Sequence, residues 1–76
     1  MPKFYFNLRD DQCLISDEEG LELPDAAAAR MEAEEGGREI VAEAIKDHKL
    51  IDDRKIEVVS EGGEILETVR LRDLLV

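Results

Sequence analysis

Phe4 to Arg9, "FYFNLR", alternates: Phe4, Phe6 and Leu8 fall on one side, and Tyr5, Asn7 and Arg9 on the other. Period-two alternation predicts a strand with one buried face. The chain's aromatic residues, Phe4, Tyr5 and Phe6, all lie here, so this strand reads as the anchor of the core. The polar "DDQ", Asp10 to Gln12, predicts a turn. An extended segment follows in "CLIS" and resumes in "GLEL" after the acidic "DEE", with Leu21 and Leu23 on one face and Glu22 outward. Together they predict a hairpin whose second strand is irregular, with Gly20 as the bulge position.

The period changes at Pro24-Asp25. Proline suits the first position of a helix, and an acid there favours the helix dipole. From Asp25 to about Leu50 the spacing is helical: Ala26, Ala29, Ala33, Gly37, Ile40, Val41, Ala44 and His48 gather on one face. The small residues of its first half let the helix approach a sheet closely. The opposite side carries Glu32, Glu35, Glu39 and Glu43. Glu35/Glu39 and Glu39/Glu43 are like-charged i,i+4 pairs, whereas Glu34/Arg38 is a favourable one. Gly36-Gly37 is costly inside a helix, about 1 kcal/mol each against alanine. Either close packing or a kink accounts for the pair, or it splits the segment into two helices.

"IDDRK" ends the helical region. "KIEVVS", Lys55 to Ser60, predicts a strand, and "EGGE" a tight turn in which Gly62 and Gly63 supply positive φ values. "ILETVRLR" is the partner strand, and "DLLV" closes the chain as one helical turn with Asp73 at its start. The predicted order is β-β-α-β-β: one helix packed on an antiparallel four-stranded sheet, a two-layer α+β domain spanning residues 1–76.

Composition narrows the functions. The chain has 76 residues, and a domain of this size buries about 60% of the surface its unfolded chain exposes. At 43% hydrophobic residues it is too apolar for disorder despite 39% charged residues. The formal net charge is −10. That argues against binding nucleic acid, which is held by neutralising its phosphates with Lys and Arg, and against an anionic membrane surface. No stretch approaches the ~18 apolar residues of a membrane span, and "MPKFYFNLRDD" lacks the apolar run of a signal peptide. The expectation is a cytoplasmic protein. Cys13 is the single cysteine, so no internal disulfide forms. It reads as a small apolar residue in a reducing compartment.

Candidate chemistry thins out on inspection. Asp10, Asp11, Asp17, Glu18 and Glu19 supply oxygen ligands, but "DDQCLISDEEGL" places apolar residues where a calcium loop needs its middle ligands. One cysteine and one histidine far apart do not make a zinc site. Ser16, Ser60, Thr68 and Cys13 are the available nucleophiles, and His48 the sole histidine base. His48 reads as a residue of the helix C-terminus, where the dipole favours a cation. No catalytic set and no cofactor are expected.

Recognition remains. Asp10 to Ala29 contains seven acids and no base. These residues read either as a solvated surface or as a docking face for a basic protein partner. The face would consist of Asp17, Glu18, Glu19, Glu22 and Asp25. The two edges of a four-stranded sheet also allow a homodimer through strand pairing. From a different class comes a small-ligand or enzyme site on the sheet surface around Tyr5, Asn7, Arg9 and Arg70.

The aromatic strand ending in Arg9-Asp10, the step "DEEGLELPD" from Asp17 to Asp25, the alanine-rich stretch from Ala26 to Ala33 and the strand–turn–strand from Ile56 to Leu74 together resemble a family of short alphaproteobacterial proteins known only as a domain of unknown function. The resemblance covers nearly the whole chain. It implies no activity, cofactor or site residue. Gly36-Gly37 departs from the helix formers the family has there. A weaker likeness, through Asp17, Gly20, Leu23, Pro24 and Asp25, is to antitoxins of bacterial toxin–antitoxin pairs with a β-β-β-α-β domain. That likeness implies a small basic protein as partner.

Overall fold

The computed structural model describes residues 1–49 and 53–74. The expected first strand forms as β1, Lys3–Arg9. It is followed by β2 (Leu14–Ile15), β3 (Leu21–Glu22), the helix α1 (Ala26–Lys46), β4 (Lys55–Ser60), β5 (Ile65–Arg70) and a 3-10 turn over Leu71–Leu74. All strand pairs are antiparallel, in the order β2-β1-β4-β5, with β3 also pairing β1. The fold is α+β. The sheet has five strands rather than four because the second strand is broken in two. Leu14 pairs with Arg9 at one end of β1 and Leu21 with Phe4 at the other. The loop of residues 16–20 leaves the ladder between them.

Registers explain the two faces. Phe6 stands opposite Val58, which stands opposite Glu67; Leu8 stands opposite Ile56, which stands opposite Val69. These rows face α1. Phe4, Ile56, Val58, Val69 and Leu71 form the core with Ala29, Ala33 and Val41 of the helix. Fully burying a Val, Leu or Phe side chain contributes about 1.5–3 kcal/mol, so these few residues carry most of the drive to fold. The helix side of the core consists of alanines, one glycine and one valine. This brings the helix backbone close to the sheet.

The helix begins at Ala26, one residue after the expected start at Asp25. Asp25 is its N-cap: the backbone is extended there, and Oδ1 accepts a hydrogen bond from the Ala28 amide at 2.9 Å. Pro24 thus precedes the cap instead of opening the helix. The helix ends at Lys46, short of the expected Leu50, which lies outside the described residues. Its end is a Schellman motif: the Lys49 amide donates to the Ala44 carbonyl (2.9 Å) and the His48 amide to the Ile45 carbonyl (3.2 Å). His48 occupies the left-handed position, φ 58°, which glycine fills without strain. His48 and Ala26, expected on the inner face, are both exposed. His48→Gly is expected to raise stability by about 1 kcal/mol in urea titration, the size of the left-handed penalty it removes.

α1 runs unbroken through Gly36-Gly37. The two glycines differ sharply. A Cβ on Gly37 would lie 2.5 Å from Leu74 Cδ1 and 3.1 Å from Leu71 Cδ2, whereas one on Gly36 would meet nothing within 4 Å. Gly36→Ala should therefore stabilise by about 0.5–1 kcal/mol, the helix propensity gained. Gly37→Ala should destabilise, because the fully buried Leu71 cannot yield. Leu74 is the softer neighbour, so adding Leu74→Ala should cost less on the Gly37→Ala background than alone, read from a double-mutant cycle of urea midpoints.

Two other expectations are corrected. In the β4–β5 turn only Gly63 has positive φ, 87°. Gly62 does not, because the turn closes on Ser60: its carbonyl accepts from the Gly63 amide and its Oγ from the Glu64 amide. The final turn also starts at Leu71, not Asp73, because the Leu71 amide docks on the Arg54 carbonyl at 3.0 Å.

Candidate functional site

The loop between β2 and β3 is organised by Asp17. Its Oδ2 accepts from the Phe6 amide at 3.1 Å, and Oδ1 accepts from the amides of Glu19 (3.1 Å) and Gly20 (3.2 Å). Its own amide donates to Asn7 Oδ1 at 2.9 Å. The carboxylate thus replaces the ladder partner that β1 lacks between β2 and β3. Burial pushes the Asp17 carboxyl up, but the amides of Gly20, Phe6 and Glu19 and the charge of Lys3 outweigh it. The group is held below its ordinary value of 3.8. Gly20 follows with φ 71°, and a Cβ there would lie 2.9 Å from Lys3 Cγ and from Tyr5 Cε2. It sits in the loop that interrupts the strand, where a side chain would collide with β1.

The five acids of the expected face therefore divide. Asp17 and Asp25 hold the loop and the helix start. Glu18, Glu19 and Glu22 project from the same segment, exposed, and none of the three makes an ion pair among the described residues. Glu32, Glu35, Glu39 and Glu43 are likewise exposed along α1. Glu34 pairs with Arg30 (3.5 Å) rather than with Arg38, and Arg30 also reaches Glu67 at 2.9 Å. Arg30 is drawn there because Glu67 is on the helix-facing side of β5.

The opposite, open face of the sheet holds the other candidate set. Arg9, Lys55 and Arg70 stand in one row across β1, β4 and β5, and Asn7, Glu57 and Thr68 in the next. Cations directly opposite one another are unfavourable, and acids answer Arg9 and Arg70 of the row and Arg72 just beyond it. Arg9 Nε donates to Glu57 Oε1 at 3.0 Å, Arg70 Nε to Asp73 Oδ2 at 3.2 Å, and Arg72 to Asp53 Oδ1 at 2.8 Å. Glu57 is only 7% exposed although it lies on an open face. Its pairing escapes sequence reasoning because Arg9, the side chain it bonds, is 48 residues away in the chain. Asn7 is committed to the Asp17 amide. Thus Asn7, Arg9 and Arg70 are each engaged within the chain, and Tyr5 lies beside Gly20.

Asp10 Oδ1 closes the first turn by accepting from the amides of Gln12 (2.8 Å) and Cys13 (2.7 Å). Those two hydrogen bonds hold its carboxyl below the ordinary value. Cys13 is exposed at this turn instead of packed as a small apolar residue. Among the described residues no three His, Cys, Asp or Glu side chains converge as a metal site, and no helix is long and apolar enough to cross a membrane.

The model of the family described as Domain of unknown function (DUF6894) matches residues 3–72, and the chain belongs to that family. No curated protein and no solved structure matches it.

Proposed function

We propose that this family member is a noncatalytic interaction module that docks a basic protein through Glu18, Glu19 and Glu22. The observation that supports the reading is the division of labour in one segment. Asp17 orders the loop by four hydrogen bonds, and three carboxylates are presented from it without ion-pair partners among the described residues. An ordered loop spends less conformational entropy on binding. Exposed charges accelerate encounter and select partners more than they add affinity. On the open sheet face, by contrast, Asn7, Arg9, Glu57 and Arg70 are each engaged within the chain, which favours interaction over ligand chemistry.

The reading places the protein in the cytoplasm, in keeping with an exposed, unpaired Cys13. An antitoxin-like role with a small basic partner is its narrower form. A small basic reading frame beside the gene would favour that form. A homodimer through the outer edge of β5 is the competing use of the fold. Affinity capture from a lysate of the native host at low salt tests the main reading. A retained basic protein that is released as ionic strength is raised from ~0.15 M toward ~1 M, where the screening length falls from about 8 Å to about 3 Å, is the expected result. Retention of nothing at low salt would leave the acids as mere solvation.

A further inference from the structure

On the helix side of the sheet, α1 packs over β4, β5 and the 3-10 turn. Toward the β3 edge it leaves a groove of about 260 Å³ lined by Phe6, Leu8, Leu21, Ile40 and Ile56, with Gly36 and Glu32 on its helical wall. Leu21 is 41% exposed there. Through Gly36 and Ile40 the groove continues into a second depression that Glu39, Glu43 and Asp47 line together with Lys49 and Arg54. One helix therefore offers an apolar trough followed by a stretch with an excess of acids.

Gly36 is the unexplained residue of this wall. In a helix interior it costs stability relative to alanine, and nothing within 4 Å of its missing Cβ accounts for its smallness. Its effect is instead to keep the trough open where the two depressions join. The trough is smaller than the ~300–1,000 Å³ of small-molecule pockets, yet it suits a few large apolar side chains. Charge complementarity selects what carries them: the lining includes Glu32, Glu39, Glu43 and Asp47 in a chain of net charge −10.

We infer that the groove along Glu32, Gly36, Ile40 and Glu43 receives an amphipathic basic helix of the partner, with apolar residues against Phe6, Leu8 and Leu21 and Lys or Arg toward the acids. This rests on the interaction reading and adds where the partner's apolar side chains go.

The probe is a synthetic helical peptide with Leu on one face and Lys on the other, compared with the same peptide carrying Ser for Leu. Both are titrated into labelled protein and followed by backbone amide shifts. The Leu/Lys peptide is expected to move Leu8, Leu21, Gly36 and Ile40. Gly36→Leu, which fills the trough, should weaken it about tenfold, the loss typical of one side chain denied its pocket, while Gly36→Ala shows that the site tolerates substitution without unfolding. Melting curves of both variants establish that they are folded. Equal binding of the two peptides with shifts confined to Glu18, Glu19 and Glu22 would overturn the groove and leave the interaction reading standing. So would shifts at Ile65–Arg70, the β5 edge. Binding by neither peptide would overturn the groove, and failure of the unaltered protein to retain any basic protein from the lysate at low salt is the separate result that would overturn the interaction reading.

Discussion

Asp17→Ala is expected to lower stability by about 2–3 kcal/mol, because it strands the partly buried Phe6 amide and frees those of Glu19 and Gly20. In a domain of this size that is a fall in melting temperature of roughly 10–20 °C. It is also a large share of the total, since a chain this long has only about 4–11 kcal/mol to lose. Asp17→Asn keeps the Oδ1 acceptor and should cost less. The pH dependence separates charge from geometry. The folded carboxyl titrates below its ordinary 3.8, so its contribution is complete above about pH 4 and fades as pH falls through the folded value. The gap between wild type and Asp17→Asn should therefore narrow below pH 3.8 in urea titrations. A gap that stays constant with pH would mean the amides do not recognise the charge.

Leu71→Ala carries the second large effect, about 3 kcal/mol. Leu71 is fully buried, and its neighbours are the helix backbone at Gly37 and the sheet. A helix that already presents glycine there cannot collapse further into the space a shortened side chain leaves. Leu74→Ala, at a half-buried position of the same turn, should cost distinctly less in thermal melts. Comparable losses at the two positions would show that the turn packs as a loose unit.

Several elements were legible because their signals are local. The alternation of "FYFNLR" marked β1, and the interruption of "CLIS" and "GLEL" by "DEE" marked where the second strand breaks. The Pro24-Asp25 step marked the helix start to within a residue. The misreadings share a cause: the deciding partner is distant or sits in the turn geometry itself. Asp17 was visible as an acid but not as an acceptor, since one of its donors, Phe6, is eleven residues away. Ser60 closes the β4–β5 turn with its hydroxyl, which relieved Gly62 of the positive φ expected of it. Leu71 looked like the tail of a strand, yet its amide turns toward Arg54 and its side chain enters the core. Of the candidate face, the acidic stretch was plain in the sequence. What could not be read is which acids the fold consumes, because that depends on which carboxylates find backbone amides.

That division is the point on which the functional reading turns, and one comparison tests it. Glu18, Glu19 and Glu22 are replaced together by Gln, and wild type and variant are used side by side to capture proteins from the native host's lysate at low salt. The account predicts an unchanged melting temperature, since these side chains hold nothing within the described residues, together with loss of a basic protein that the wild type retains. Retention of the same protein by both, or a variant that melts as low as Asp17→Ala, would contradict it.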